Sequence, residues 1–190
     1  MRILSIMTLL ALFILPSGYA PASPTSDISA EGMQFLQTQA VRGNAEAQNK
    51  LGKLYFLGQG VPQNNTTARE WFEKSAAQGN ADAQNNLGFL YEKAQGDYAK
   101  AREWYEKAAA QRHAAAQSNL GWLYAYGRGV PQDHVRAYMW WSLAAAQSTG
   151  SAEESEESIL DKLTRRMTPA QIVEAQRLSQ RCQAQQYAGC

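Results

Sequence analysis

Ala45-Glu-Ala-Gln-Asn-Lys-Leu-Gly-Lys-Leu-Tyr55 is followed by two near copies of itself. These are Ala81-Asp-Ala-Gln-Asn-Asn-Leu-Gly-Phe-Leu-Tyr91 and Ala114-Ala-Ala-Gln-Ser-Asn-Leu-Gly-Trp-Leu-Tyr124, starting 36 and then 33 residues further on. Self-similarity at such a period is the signature of a solenoid of helix pairs, because each unit has an apolar face that only its neighbour can cover. Within a copy the Ala, Leu and Tyr positions recur at helical rather than strand spacing, which predicts an α-helix, here called A. Gly52, Gly88 and Gly121 stand inside that helix, where Gly costs about 1 kcal/mol relative to Ala. Recurrence in one register predicts that the missing Cβ lets a partner helix approach closely.

A second phrase follows each copy: Ala68-Arg-Glu-Trp71-Phe-Glu-Lys-Ser-Ala-Ala-Gln78, Ala101-Arg-Glu-Trp104-Tyr-Glu-Lys-Ala-Ala-Ala-Gln111 and Ala137-Tyr-Met-Trp140-Trp-Ser-Leu-Ala-Ala-Ala-Gln147. Each unit is therefore a pair, A then B. Trp71, Trp104 and Trp140, with Phe72, Tyr105 and Trp141, are read as aromatic core of helix B. Each buried aromatic contributes on the order of 2–3 kcal/mol from apolar burial. The linkers Gly58-Gln-Gly-Val-Pro-Gln-Asn64 and Gly127-Arg-Gly-Val-Pro-Gln-Asp133 also match. Gly ends helix A, Pro prevents its continuation, and Asn64 or Asp133 caps helix B. The second linker is three residues shorter; Ala94-Gln-Gly-Asp97 makes that turn and keeps Asp97 at the cap.

These phrases resemble the Sel-1-like repeat, a relative of the tetratricopeptide repeat. The resemblance implies an all-α fold: an α/α superhelical solenoid of about three helix pairs with N- and C-terminal capping helices. The three units are read as 43–78, 79–111 and 112–147.

Lys and Arg number 18 against 17 Asp and Glu, for a formal net charge of +1. A chain this close to neutral is not built for nucleic acid or for electrostatic attachment to anionic membranes. Residues 1–22 read as a secretory signal. Arg2 is the positive start, Ile3 to Leu15 the apolar stretch, and Ala20-Pro-Ala22 the cleavage motif. Cleavage after Ala20 would put Pro21 just past the scissile bond, so Ala22 is the expected site. The apolar stretch is shorter than the roughly 20 residues that span a bilayer. The expectation is a periplasmic or secreted protein, without a stable membrane anchor after cleavage, and a monomer.

Residues 23–42 are read as a flexible Pro- and Ser-rich segment and a capping helix begun by Asp27 or Ser29, with Met33, Phe35, Leu36 and Ala40 as its apolar side. After Gln147 the pattern decays, and 148–190 are read as C-terminal capping helices. Glu153, Glu154, Glu156 and Glu157 are read as the acidic first turn of the helix that ends at Arg165-Arg166. Thr168-Pro-Ala-Gln171 predicts a capping box with Pro at the first helical position. Ile172, Ala175 and Leu178 are its packing stripe. Cys182 and Cys190, the two cysteines of an exported chain, predict one disulfide that pins the tail. His113 and His134 fall in inter-helix turns and are read as solvent-exposed structural residues.

No G-x-S-x-G, S-x-x-K, H-E-x-x-H, P-loop or dinucleotide glycine pattern occurs. The chain is therefore expected to be no enzyme and to need no cofactor or metal. The enzyme alternative is a hydrolase acting on cell-wall material or β-lactams. The β-lactam-binding activity attributed to some cysteine-rich relatives goes with a Cys pair in every repeat, whereas this chain has one pair at its end. Resemblance to tetratricopeptide arrays places a concave groove along the A helices. Its outward residues are Asn49, Lys53 and Phe56, then Asn85, Phe89 and Glu92, then Ser118, Trp122 and Tyr126. The row Lys53, Phe89, Trp122 is not dictated by the fold; its two aromatics either form a recognition surface, since Trp and Tyr are favoured interface anchors, or pack on the neighbouring unit's helix. The expected function is a protein–protein interaction module binding a protein partner in that groove. By family analogy a narrower form is an immunity or inhibitor protein that neutralises an exported toxin.

Overall fold

The computed structural model describes residues 28–147, 159–187, 189 and 190. The expected signal segment, the Pro- and Ser-rich stretch before residue 28, residues 148–151 and the four glutamates lie outside the described residues. Helix α1 (Ala30–Val41) leads into three pairs: α2 (Ala45–Leu57) with α3 (Asn65–Ala77), α4 (Ala81–Leu90) with α5 (Tyr98–Ala110), and α6 (Ala114–Tyr126) with α7 (His134–Ala145). Helical residues 159–164, here α8, and α9 (Pro169–Ala184) follow. From α1 to α7 each helix packs on the next, as a solenoid requires, and α9 packs on α7.

The repeated glycines make the pairs close. A Cβ on Gly52 would lie 2.6 Å from the Phe72 ring, one on Gly88 2.5 Å from Tyr105, and one on Gly121 2.5 Å from Trp141 Nε1. Those distances are shorter than any van der Waals contact. So helix A of each unit is approached by the second aromatic of its own helix B, and Phe72, Tyr105 and Trp141 are buried. Trp140 is buried too, but Trp71 and Trp104 are only half-buried. They stand one residue earlier, about 100° round the helix. At that edge of the core Lys74 Nζ covers the Trp71 ring at 4.2 Å and Lys107 Nζ covers Trp104 at 4.0 Å. The expectation of full burial holds for four of the six aromatics and is corrected for these two.

Helix starts are set by side-chain caps. Asn44 and Asn80 accept from the backbone N–H of Ala47 and Ala83, each at 2.8 Å. Asn64 accepts from Thr66 and Thr67, Asp97 from Lys100, and Asp133 from Arg136. Ser29 caps α1. His113 takes the place of Asn44 and Asn80: its Nδ1 accepts from Ala116 N–H at 3.2 Å, and its Nε2 meets Asp82 of the preceding unit at 2.9 Å. It is half-buried rather than solvent-exposed, because one ring serves both a cap and an inter-unit contact. The short second linker is accommodated by a π-helical turn over Tyr91–Gln95, closed by Gly96 at φ 65.

The glutamines of both phrases form one repeated hydrogen-bond relay. Gln48, Gln84 and Gln117 donate to the carbonyls of Ala40, Ala76 and Ala109 near the end of the preceding B helix. Their own side-chain oxygens accept from Gln78, Gln111 and Gln147 at 2.6–2.8 Å. Each of these carbonyls already accepts a backbone N–H from the turn that follows, that of Gly43, Gly79 or Arg112, and the relay adds a second bond that joins three helices.

At the two ends the packing thins. On α1, Leu36 and Ala40 are buried, but Phe35 is 66% exposed, a correction to its expected place on the packed side. One turn carries only one of two adjacent positions inward, and Leu36 takes it. On α9 the Thr168–Gln171 capping box forms as expected. The buried stripe is Ala175, Ser179 and Cys182, with Ile172 and Leu178 half-buried beside it. Cys182 is disulfide-bonded to Cys190, with Cα atoms 5.5 Å apart. The closed tail tucks Tyr187 against the array, under the Arg112 guanidinium at 5.4 Å.

Candidate partner-binding face

The A helices bury Leu51, Leu54, Leu87, Leu90, Leu120 and Leu123 on one side and leave the opposite side open. Asn86 donates to Asn49 at 2.8 Å, and Asn119 donates to Asn85 at 3.1 Å. These bonds join successive A helices directly. Asn49 is consequently buried, not outward, and Asn85 and Ser118 are half-buried. The Ser118 carbonyl accepts from Trp141 Nε1 at 3.1 Å. The first residue of each predicted trio therefore holds the face together.

The second row is open: Lys53 is exposed, Phe89 is 38% exposed and Trp122 41%. In the third row Phe56 and Glu92 are half-buried, and Tyr126 is 58% exposed. Tyr126 in fact stands one residue past the register of Phe56 and Glu92, where Ala125 is buried. The register of Tyr126 is shared by Leu57 and Lys93, both exposed. The open face is thus built from positions four apart, Lys53 with Leu57, Phe89 with Lys93 and Trp122 with Tyr126, as helical geometry demands. Sequence reasoning missed Leu57 and Lys93, and counting i to i+4 from the second row would have found them.

Trp122 and Tyr126 lie parallel, ring centroids 5.2 Å apart at 6°. The edge of Trp122 is set at 79° to Trp141, which fixes its orientation from below. Phe89 meets Phe56 edge-on at 5.9 Å. Phe89, Glu92, Trp122 and Tyr126 line one hollow of about 420 Å³ together with Lys93 and Arg128. On the far side of the Trp122–Tyr126 pair, Lys162 and Arg166 line a second hollow of about 250 Å³. Asn49 and Lys53 belong to a separate hollow near α1 with Lys50 and Leu57. Glu92 is held in place: it accepts from the Tyr105 hydroxyl at 3.0 Å and pairs with Lys93 at 2.7 Å. Burial, then the Glu92 charge and the hydrogen bond to it, hold the Tyr105 hydroxyl protonated well above its ordinary range. Such a face offers flat apolar area and fixed charges, suited to holding a ligand. Among the described residues no group of three or more His, Cys, Asp or Glu is assembled to take a metal ion, and no helix is long and apolar enough to cross a membrane.

Comparison with known proteins follows the same units. The sequence profile of the Sel1 repeat matches residues 45–80, 81–113 and 114–148, more than half of the chain. A search of curated proteins returned no match. Among solved structures, a Sel1 repeat protein from Oxalobacter formigenes is 40% identical, with a TM-score of 0.57 over 62% of this chain and 50% of that one. The protein c5321, a protective antigen present in uropathogenic Escherichia coli strains and displaying an SLR fold, is 28% identical, with a TM-score of 0.46 over 83% of this chain and 42% of that one. The chain thus matches half or less of the length of either protein. With three consecutive matched units on one repeated geometry, the chain belongs to the Sel1 repeat family, whose helical arrays generally serve protein–protein interaction.

Proposed function

We propose that this chain is an exported, non-catalytic interaction module that seats a segment of a protein partner on the concave A-helix face, centred on Trp122. One observation carries the reading. Phe89, Trp122 and Tyr126 are 38–58% exposed on helices whose four central leucines, Leu87, Leu90, Leu120 and Leu123, are at most 1% exposed. Ring contacts hold these aromatics in place while leaving a face of each open, and aromatic side chains are favoured anchors of interfaces. Export to the periplasm or beyond is supported by the sequence of residues 1–22 and is compatible with the Cys182–Cys190 disulfide.

A photo-reactive residue at position 122 of the exported protein tests the reading in cells, with position 94 on the exposed π-helical turn as control. The expected result is one protein adduct seen from 122 and absent from 94. Identical adducts from both positions, or none, would sink it. Amino-terminal sequencing of the exported protein should begin at Ser23.

A further inference from the structure

The Trp122–Tyr126 pair is a ridge between two hollows, and the charges on its two sides agree in sign. Lys93 and Arg128 flank it on one side, Lys162 and Arg166 on the other. The single carboxylate there, Glu92, is already committed to Lys93 and to the Tyr105 hydroxyl. Among the described residues Lys162 and Arg166, both exposed, and Arg128 have no carboxylate within ion-pair distance; Arg128 lies over the Tyr98 ring and donates to its hydroxyl. The B helices are different. There Arg69 pairs with Glu73 and Arg102 with Glu106, so their charges balance locally. A surplus of cations beside exposed aromatic faces sets a field that attracts anions and repels cations.

From this charge pattern we infer that the ridge takes an acidic, aromatic-bearing extended segment of a partner protein. Its apolar side chain lies on Trp122 and Tyr126, and its carboxylates lie against Arg128, Lys162 and Arg166. The inference rests on the groove reading above and adds the chemistry of the occupant. Single-stranded nucleic acid also combines negative charge with flat rings. It fits less well, because a chain of net charge +1 has no basic track to follow a phosphate backbone beyond this ridge.

The test uses the exported chain and dye-labelled octapeptides followed by fluorescence anisotropy. An octapeptide alternating Glu and Phe is expected to bind, with affinity that falls as salt is raised. Peptides alternating Lys with Phe, or Glu with Ser, are expected not to bind. The double substitution Lys162→Glu and Arg166→Glu should weaken the Glu–Phe peptide by about tenfold and admit the Lys–Phe peptide, with an unchanged melting curve. Equal binding of the acidic and basic peptides would overturn the inference, as would tighter binding of a short oligo(dT). Failure of every peptide, alongside an adduct from position 122 that maps to a neutral or basic partner segment, would overturn it while leaving the groove reading intact. No adduct from 122 would remove both.

Discussion

Gly88 shows how a single missing atom organises the repeat. Its Cβ position is occupied by the Tyr105 ring, which is fully buried. Gly88→Ala gains about 1 kcal/mol of helix propensity but overpacks the contact, which costs typically 1–3 kcal/mol. A net loss of about 1 kcal/mol is expected in urea denaturation. A gain in stability would mean that the close approach is not what the glycine provides. The glycine was legible from sequence because it recurs in a register where helices resist it. The relay glutamines were quoted in the same phrases, yet their role was not legible, since their partners lie 8 and about 30 residues away. Gln117 is fully buried, so Gln117→Ala leaves the Ala109 carbonyl and the Gln147 amide without this partner. Both keep a second partner, Arg112 N–H and the Leu143 carbonyl, so a loss of about 1 kcal/mol per bond is expected by the same assay. Tyr105 sets a pH dependence. Its folded-state hydroxyl titrates above the ordinary value of 10.0. The unfolded chain therefore releases this proton first as pH rises past about 10, and the native state becomes the more protonated one. Stability contributed by this group is intact below that pH and declines above it. The decline should be shallower in Tyr105→Phe, and equal slopes in urea midpoints would contradict this account.

Elements were read well wherever a cap or a breaker marks their ends. Asn64, Asp97, Asp133 and Thr168 all act at the positions their sequence context predicts. Thr168→Ala removes the hydroxyl half of the α9 capping box and should lower stability by about 1 kcal/mol. An unchanged denaturation midpoint would show that α9 is held by its packing alone. What the pattern did not separate was which of two adjacent apolar residues turns inward. Trp71 against Phe72, Trp104 against Tyr105 and Phe35 against Leu36 differ only in angle round a helix, and a period of 3.6 fixes that angle loosely once the neighbouring helix is unknown. The same ambiguity explains why Asn49 was read as outward. Its bond to Asn86 depends on how far apart consecutive A helices sit, which no local pattern states.

At the scale of the molecule, a solenoid transmits little from one end to the other, because each unit contacts only its neighbours. Reducing the Cys182–Cys190 disulfide releases a loop with a separation of 8 residues. It should cost about 2–3 kcal/mol of local stability by chain entropy. Amide hydrogen exchange is expected to accelerate in the last turns of α9 and to remain unchanged in α2 to α4. Acceleration throughout would show that the tail supports the whole array. The three-unit architecture was plain in the repeated phrases. The partner face was only half legible, since its row of large residues showed in the sequence while its register and its surplus of cations required the fold. The central claim is that Trp122 and Tyr126 are exposed for binding and not for stability. The most direct measurement pairs a melting curve with recovery of the partner by the Trp122→Ala, Tyr126→Ala double variant. The account predicts a variant that still melts cooperatively, its melting temperature lowered by only a few degrees through the lost Trp141 contact, and loss of the complex. Full recovery of the complex by such a variant would contradict it.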